Sequence, residues 1–388
     1  MNPTELPRQP PSSAAPRVAV FIPNLEGGGA ERVTANLIGG LVRCGISVDL
    51  LVVRAQGPNL ARIPPQVRVT ELGAPRTLQA VRPLAAWLKR ERPDALLAVM
   101  DSAAAAAMAA RRLARVPTRL VAVLHSATLV QATAHIPFGE RWLPVALRGL
   151  LVDTDAIVCV SQGAAGELTQ LYPWLRGKVH TIYNPVVTDE LLARAQDPPQ
   201  HPWLRQTDVP VAVGVGRLCA AKDFATLIEA FALLRARRQV RLIIFGDGEL
   251  RAALEAQVAR LGLSDSVQLP GWTDNPWAAL RSASLFVLSS EYEALPTVLI
   301  EALACGTPAV ATDCRFGPRE VLQDGLLGRL VPVRDTAALA GAMAETLDQP
   351  PAAAALQERA QVFSEKLCTD QYLQLLLPGW KRQGQTAT

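Results

Sequence analysis

Two glutamates eight positions apart are the residues of this sequence whose type and spacing most suggest chemistry. Glu293 is expected in the loop after an apolar strand, and Glu301 on the helix that follows. The loop returns the chain, so both carboxylates can border one pocket, and a carboxylate can accept two hydrogen bonds from a vicinal diol. A pair of surface glutamates is the alternative, but it explains poorly why Glu301 stands in the apolar run 298–303, where a buried unpaired carboxylate is costly.

Backbone groups beside these glutamates could bind a phosphate. Leu295 and Thr297 present N–H groups at the predicted helix start, Pro296 has none to present, and Val298 completes the candidate segment. The N-terminus of a helix attracts anions because its first N–H groups are unpaired and its dipole end is positive. We therefore expect an anion next to the diol pocket.

Two cations flank an earlier turn between a strand and a helix. The chain contains 34 Arg but only five Lys, so the presence of Lys222 together with Arg217 in this turn is unusual. An arginine offers a planar fork and a lysine a point charge, and the two together suit a diphosphate. The alternative is a solvated helix start.

Two glycine-containing loops also follow predicted strands. Gly28 and Gly29 open a helix, where they would let a ligand approach the backbone; a plain tight turn is the alternative. Gly246 and Gly248 permit an unusual backbone path, and Asp247 between them could instead cap the next helix. No segment has the full glycine spacing of the dinucleotide fingerprint.

Polar residues of the first half offer fewer candidates. His125 stands at the end of a predicted strand, at the cleft edge, and a structural histidine is the alternative. Asp101 and Ser161 are expected to cap helices. The D-x-D at Asp153 and Asp155 precedes its strand and therefore lies at the wrong edge of the sheet, and no metal cluster is found in the sequence.

The elements that position these residues are short β-branched runs alternating with helical patterns, which is typical of α/β proteins. We predict two Rossmann-like, doubly wound parallel-sheet domains with a cleft between them, the ligand lying at the carboxyl edge of the strands. The predicted strands are 18–22, 47–53, 95–99, 119–124, 156–160, 211–215, 241–245, 267–269, 285–288 and 309–311. The predicted helices are 30–43, 78–91, 102–114, 138–151, 163–171, 223–237, 248–261, 275–282 and 298–305.

The predicted organisation has five parts. A tail rich in Pro and Ser, 1–16, is expected to be disordered. A first domain, 17–186, and a second domain, 210–365, are joined by a Pro-rich linker, 187–209. The last segment, 366–388, is expected to form a helix that packs back on the first domain.

Composition excludes several classes of protein. The 388 residues are 49% apolar and 19% charged, a globular balance. With a net charge of +4 and 5% aromatic residues, the chain does not resemble a nucleic-acid binder. No stretch reaches the ~20 apolar residues that cross a bilayer, and the tail lacks the apolar core of a secretory signal. The six cysteines show no C-x-x-C pair and no zinc spacing, which favours a reducing cytoplasm.

Taken in order, the motifs resemble one family, the retaining glycosyltransferases of family four, which have the GT-B architecture of two Rossmann-like domains. The resemblance covers about residues 17–380 and includes GGGAER, VSQG, YNP, GRLCAAKDF, IIFGDGEL and SSEYEALPTVLIEALACGTPAVATD. Each motif is modest by itself, but their order and spacing together are specific. Glu293 and Glu301 match the E-x7-E motif of that family.

For the donor, the resemblance implies a nucleotide sugar held by the second domain, usually one linked to uridine diphosphate. Arg217 and Lys222 would grip the diphosphate in place of a metal, and Glu301 would bind the ribose diol. The loop of Gly28 and Gly29 would close on the diphosphate from the first domain. Neither a metal nor another cofactor is expected.

For the reaction, the resemblance implies retention of the anomeric configuration by front-side attack, the leaving phosphate helping to remove the acceptor proton. Glu293 would bind the sugar near its anomeric face, and His125 would contact it at the reaction centre. The family usually has glycine after the first glutamate, where this chain has Ala294. If that position needs a positive φ, alanine costs ~1 kcal/mol or more. If only the N–H of this residue faces the donor, alanine is tolerated but narrows the sugar pocket.

The acceptor would dock on the first half of the chain, which is the more basic. Residues 1–186 hold 20 basic and 12 acidic residues, and 187–388 hold 19 and 23. The resemblance suggests a saccharide or lipid-linked saccharide acceptor in bacterial polysaccharide or glycoprotein assembly. The basic charge could hold a cytoplasmic protein weakly at the inner face of an anionic membrane, with 141–148 as a candidate contact; an ordinary amphipathic helix is the alternative there.

Two other functions stay open at this point. A nucleotide-sugar hydrolase or epimerase could use the same fold, although neither needs a basic acceptor face. A catalytically dead nucleotide-sugar sensor would be indicated by loss of Glu293, His125, Arg217 or Lys222, and the sequence retains all four.

Overall fold

The computed structural model describes residues 15–26, 28–124, 151–206 and 208–380. Its first sheet contains β1 (Arg17–Ile22), β2 (Ser47–Val52), β3 (Arg68–Glu71), β4 (Ala95–Val99), β5 (Arg119–Leu124), β6 (Ala156–Cys159) and β7 (Val179–Thr181). The strands pair in parallel in the order β3-β2-β1-β4-β5-β6-β7. The described helices of this domain are α1 (Gly29–Arg43), α2 (Val81–Glu91), α3 (Asp101–Ala114) and α4 (Gln162–Leu171).

The second sheet contains β8 (Val211–Val215), β9 (Arg241–Phe245), β10 (Val267–Gly271), β11 (Leu285–Leu288), β12 (Ala309–Thr312) and β13 (Arg329–Val331). It is also parallel, in the order β10-β9-β8-β11-β12-β13. The helices from the connecting segment onward are α5 (Asp189–Arg194), α6 (Phe224–Arg235), α7 (Arg251–Arg260), α8 (Pro276–Ser282), α9 (Thr297–Ala304), α10 (Pro318–Val321), α11 (Thr336–Asp348), α12 (Ala353–Ala360) and α13 (Glu365–Leu376).

The predicted pair of doubly wound parallel sheets is confirmed. Three strands were missed, β3, β7 and β13, and all are short edge strands with partly exposed residues. Helices α10, α11 and α12 were also missed, and α5 lies in the segment predicted as a linker. No described helix combines the length and the apolar composition needed to cross a membrane.

The central strands are apolar along their length because helices cover both of their faces. In β1, Val18, Val20 and Ile22 pack in the cluster that includes α1, whereas Ala19 and Phe21 pack with α2 and α3. Successive side chains of a strand point to opposite faces, so one strand contributes to two cores.

Each sheet reverses its strand order at one point, between β1 and β4 in the first and between β8 and β11 in the second. Loops leave the carboxyl ends of these strands in opposite directions, which opens a crevice where ligands of α/β proteins bind. The loops at these two crevices begin at residues 23 and 100 in the first domain, and at residues 216 and 289 in the second.

Helix α13 lies on the first domain although it follows the second domain in sequence. It packs against α1 and β5, and the N–H groups of Val186 and Val187 bond to the carbonyl of Phe363 just before it. Tyr372 and Cys368 of α13 are buried there. The two domains are therefore connected at two places, by the segment around α5 and by the chain entering α13.

Candidate functional site

The crevice of the second domain brings Lys222 and Glu293 into direct contact. Lys222 Nζ donates to Glu293 Oε1 at 2.6 Å, and Ser290 Oγ donates to the same oxygen at 2.7 Å. Glu293 is 9% exposed. Ser289 Oγ donates to the carbonyl of Lys222 at 2.8 Å, which ties the loop after β8 to the loop after β11. The structure thus joins two predicted site residues that are far apart in sequence.

Glu301 on α9 is buried, 2% exposed, and forms an ion pair with Arg32 of α1. This contact crosses from the first domain to the second, and it explains how a carboxylate can stand in an apolar segment. The Arg32 guanidinium also lies over the ring of Trp277, 5.9 Å from its centroid. Burial lowers the pKa of Arg32 to about 10, so the side chain stays protonated at neutral pH.

Two helix N-termini face each other across the crevice. Helix α9 begins at Thr297 after Pro296, and α1 begins at Gly29 after Gly28. A Cβ built on Gly29 would lie 3.3 Å from Thr297 Oγ1, so the two helix starts are in near contact. Both carry the positive end of a helix dipole, which makes the space around them favourable for an anion.

The start of α1 already has a carboxylate next to it. Glu31 is the third residue of α1, and its carboxylate lies over Gly28, where an added Cβ would clash with it. Burial raises the pKa of Glu31, against the opposing effect of the backbone N–H groups of Glu31 and Gly28. An acidic residue at this position satisfies N–H groups that helix starts leave free.

The loops after β8 and β9 support each other. The N–H of Leu218 donates to the carbonyl of Asp247 at 2.9 Å. Gly246 has φ +136 and lies against the carbonyl of Gly216, so a side chain does not fit there. Arg217 is exposed in the same loop, and its pKa is raised chiefly by a hydrogen bond with Cys219.

Asp247 does not cap a helix, contrary to the alternative drawn from the sequence. Helix α7 begins at Arg251, four residues later, and Asp247 Oδ1 accepts hydrogen bonds from the N–H of Gly248 at 2.8 Å and from Arg251 Nε at 3.0 Å. These donors lower the pKa of Asp247. The Gly246–Gly248 turn is therefore a fixed loop beside the crevice.

Other predicted residues have mixed outcomes. His125 and the candidate membrane contact 141–148 lie outside the described residues.

Ser161 caps α4 through Ala164, as predicted. Asp101 does not cap α3: it is the first helical residue, and Met100 before it has φ +80. Ala294 is not among the described residues with positive φ, so the strain considered for alanine at this position does not arise.

Arg32 is the site residue that sequence reasoning missed. It lies in the segment GGGAER, in which only the glycines were predicted as site residues. A signal was available, because a buried carboxylate at residue 301 requires a cationic partner. The chain, however, contains 34 Arg, so the partner could not be singled out from sequence.

Two facing Rossmann-like domains with a polar crevice define the class of GT-B glycosyltransferase folds. The family model described as Glycosyltransferase Family 4 matches residues 27–190, and the model described as Glycosyl transferases group 1 matches residues 199–363. A lipopolysaccharide core biosynthesis glycosyltransferase, LpsE of Rhizobium meliloti, is 30% identical over 365 residues, which is 90% of this chain and 96% of the relative.

Solved structures agree on the fold. A glycosyltransferase from Rickettsia africae matches with a TM-score of 0.76 and 17% identity, covering 95% of this chain and 100% of the other. Anabaena HepE in complex with UDP matches with a TM-score of 0.72 and 20% identity, over 93% and 99% of the two chains. The chain belongs to the family-four glycosyltransferases.

Proposed function

We propose that this glycosyltransferase is a retaining enzyme that moves a sugar from a UDP-sugar to a saccharide or lipid-linked saccharide. The observation that carries the proposal is the convergence of Lys222, Glu293 and Glu301 with the N-termini of α1 and α9 in one crevice. The relative named for lipopolysaccharide core biosynthesis and the neighbour crystallised with UDP support the acceptor class and the nucleotide.

In this proposal the diphosphate lies between the helix starts at Gly29 and Thr297. Lys222 neutralises its charge, and Arg217, exposed on the adjacent loop, moves in to bind an outer phosphate oxygen. Glu301 binds the ribose diol. Leu295 to Val298 supply N–H groups at the start of α9, apart from Pro296.

The sugar lies next to Glu293, whose carboxylate is fixed by Lys222 and Ser290. The bond between the anomeric carbon and the diphosphate oxygen breaks, and the acceptor oxygen bonds to the same face of that carbon. The acceptor proton passes to the departing phosphate oxygen, so atoms and charge balance without a covalent enzyme intermediate. His125 is proposed to contact the sugar at this centre. The contribution of the protein is positioning and stabilisation of charge on the leaving group.

We propose that the enzyme works without a metal, since the cation Lys222 and two positive helix ends serve the diphosphate. Retained transfer activity in the presence of a chelator is the expected result. Loss of activity that Mg²⁺ or Mn²⁺ restores would refute metal independence and leave the transferase function intact.

Binding of UDP measured by calorimetry tests the site. Lys222→Ala should abolish detectable binding and Glu301→Ala should weaken it at least tenfold. Lys366→Ala is the matched control, because Lys366 is an exposed lysine paired only to its helix neighbour Asp370 in the described structure. Unchanged affinity in both site variants would remove the assignment.

Attachment to a membrane is a separate proposal that rests on the basic first half of the chain. It predicts that the protein floats with anionic liposomes at low salt and is released by high salt, since surface charges are screened. Absence of flotation at low salt would contradict it.

A further inference from the structure

Arg32 of the first domain contacts Glu301, the residue that binds the ribose in the proposed function. Its guanidinium bonds to Oε1 of Glu301, which is 2% exposed, while the arginine side chain itself is 24% exposed. A buried carboxylate without a cation would be costly, so this contact compensates the negative charge of Glu301.

The ion pair leaves hydrogen-bonding capacity on the carboxylate. An ionised carboxylate has about four lone-pair positions on its two oxygens. Arg32 uses Oε1, and Oε2 can accept from a hydroxyl. The arginine and a diol can therefore bind the same carboxylate together.

Packing holds Arg32 in place. The Trp277 ring of α8 lies beside its guanidinium, and Arg194 of α5 lies 5.4 Å from the centroid of the same ring. Arg62 of the first domain bonds to Glu190 of α5 at 2.8 Å close by. Arg32, of the first domain, is thus oriented by Glu301 and Trp277 of the second domain.

We propose that Arg32 is a positioning residue for the nucleotide: it keeps the Glu301 carboxylate ionised and oriented, so the nucleotide pocket is complete only when the first domain is docked on the second. The inference rests on the proposed function, in which Glu301 binds the ribose diol.

A double-mutant cycle with UDP as the probe tests the coupling. Arg32→Met should weaken UDP binding at least tenfold in the otherwise native protein and less than twofold in the Glu301→Ala protein, because its effect passes through Glu301. Arg62→Met is the matched control: it removes a neighbouring arginine of the same domain surface that pairs with Glu190 instead. We expect a change of less than twofold for this control.

A pH profile separates this role from a merely structural one. Without Arg32, the Glu301 carboxylate is buried without a cation, and burial then favours its protonated form, which accepts fewer hydrogen bonds. UDP affinity of Arg32→Met should therefore fall further below that of the native protein as pH drops from 8 to 6. Arg32→Lys, which keeps the charge, should restore the native profile, and Arg32→Gln, which removes the charge, replaces Arg32→Met if that variant does not fold.

Other charged groups lie on the elements around the pair. None of the elements packed around it, α1, α5, α8, α9, α10 and α12, contains a histidine. Their charged side chains, with that of the neighbouring turn 58–62, are Glu31, Arg32, Arg43, Arg62, Asp189, Glu190, Arg194, Arg281, Glu301, Arg319, Glu320, Glu358 and Arg359. The UDP affinity of the native protein, measured at each pH, is the control for protonation of UDP and of these groups.

Three results would overturn the inference: equal losses from Arg32→Met in both backgrounds, no loss at all, or a pH profile that Arg32→Lys leaves as altered as Arg32→Met does. If Glu301→Ala itself leaves UDP affinity unchanged, the proposed function fails and this inference fails with it. If Glu301→Ala weakens binding but Arg32 variants do not, only the inference fails.

Discussion

At the scale of single residues, each buried glutamate of the crevice has a cation from a distant part of the chain. Glu293 has Lys222, and Glu301 has Arg32, 269 positions away. Such pairs add little net stability, because desolvation of both charges offsets their attraction, but removal of one partner leaves an uncompensated buried charge. Mutational effects on stability and on ligand binding can therefore be separated at these pairs.

The pair of Lys222 and Glu293 gives the first prediction. Lys222→Met should destabilise the protein by about 3–5 kcal/mol, because it leaves the Glu293 carboxylate buried without its cation. Adding Glu293→Gln removes that charge and should restore most of the lost stability. Urea unfolding measures both effects, and UDP calorimetry should find no binding in either variant.

Restored stability without restored binding would show that the Lys222–Glu293 pair is needed for UDP binding and not for folding stability. If the double variant stays as unstable as Lys222→Met, the cost comes from lost packing of the lysine stem and not from the unpaired charge. Lys366→Met is the control, since that lysine is exposed on α13.

Sequence reasoning found both members of the Lys222–Glu293 pair and one member of the Arg32–Glu301 pair, but it found neither pairing. The types of Glu293, Glu301 and Lys222 and their positions after strands sufficed to place them at the carboxyl edge. The contact of Arg32 with Glu301 depends on how the two domains dock, and local periodicity carries no information about docking.

At the scale of elements, a charged network joins four of them at the amino edge of the first sheet. Arg17 of β1 and Arg68 of β3 each bond to Asp49 of β2, at 2.6 Å in both cases, and to Glu91 of α2, at 2.7 and 2.9 Å. This edge lies opposite the crevice, so the network stabilises the sheet without touching the site. The network also attaches β3, an edge strand with one neighbouring strand, to the rest of the sheet.

The second prediction concerns pH and Glu91. Hydrogen bonds from Arg68, Arg17 and Arg90 lower the pKa of Glu91 to about 2. A carboxyl whose folded pKa lies below its unfolded value contributes stability above the unfolded pKa and loses it as pH falls through the folded pKa. Glu91→Gln should therefore lower the urea midpoint at pH 7, and the difference from the native protein should shrink between about pH 4.5 and pH 2.

The matched control is Glu358→Gln, which changes an exposed glutamate of α12. It should leave the midpoint unchanged at both ends of this range. A loss for Glu91→Gln that persists undiminished at pH 2 would mean that the side chain acts through packing, contrary to the electrostatic account.

Elements were predictable from sequence where they are buried on both sides. Central strands such as β4 and β11 are wholly buried and read as continuous apolar runs. The edge strands β3, with sequence RVTE, and β13, with sequence RLV, carry charges and exposed positions, so their pattern does not differ from that of a loop. Pairing with a neighbour determines such strands, and one sequence does not show that pairing.

At the scale of the whole molecule, a second contact between the domains lies apart from the Arg32 pair. Glu320 of α10 accepts hydrogen bonds from the N–H of Gln162, at 2.8 and 3.0 Å, and from Tyr183 Oη at 2.6 Å. Burial and then the bond to Glu320 raise the pKa of Tyr183 to about 12. The carboxylate thus lies at the positive N-terminal end of α4, and Phe316 packs against Gly163 of the same helix.

This contact leads to the third prediction. Glu320→Ala removes an anion from a helix start and from a half-buried hydroxyl, and hydrogen bonds to a charged group contribute about 1.5–3 kcal/mol. Each 1.4 kcal/mol lost raises the population of separated domains about tenfold. The radius of gyration of the ligand-free variant, measured by small-angle X-ray scattering, should exceed that of the native protein, and Glu358→Ala should not change it.

Saturating UDP should bring the radius of gyration of the Glu320→Ala variant back towards the native value. The proposed nucleotide site contains groups from both domains, so binding shifts the population to the form in which the two domains are docked. A ligand-free radius equal to that of the native protein would show that Glu320 does not hold the domains together. A larger radius that UDP leaves unchanged would show instead that the nucleotide contacts the second domain alone, and the part proposed for Gly29 and Arg32 would then be wrong.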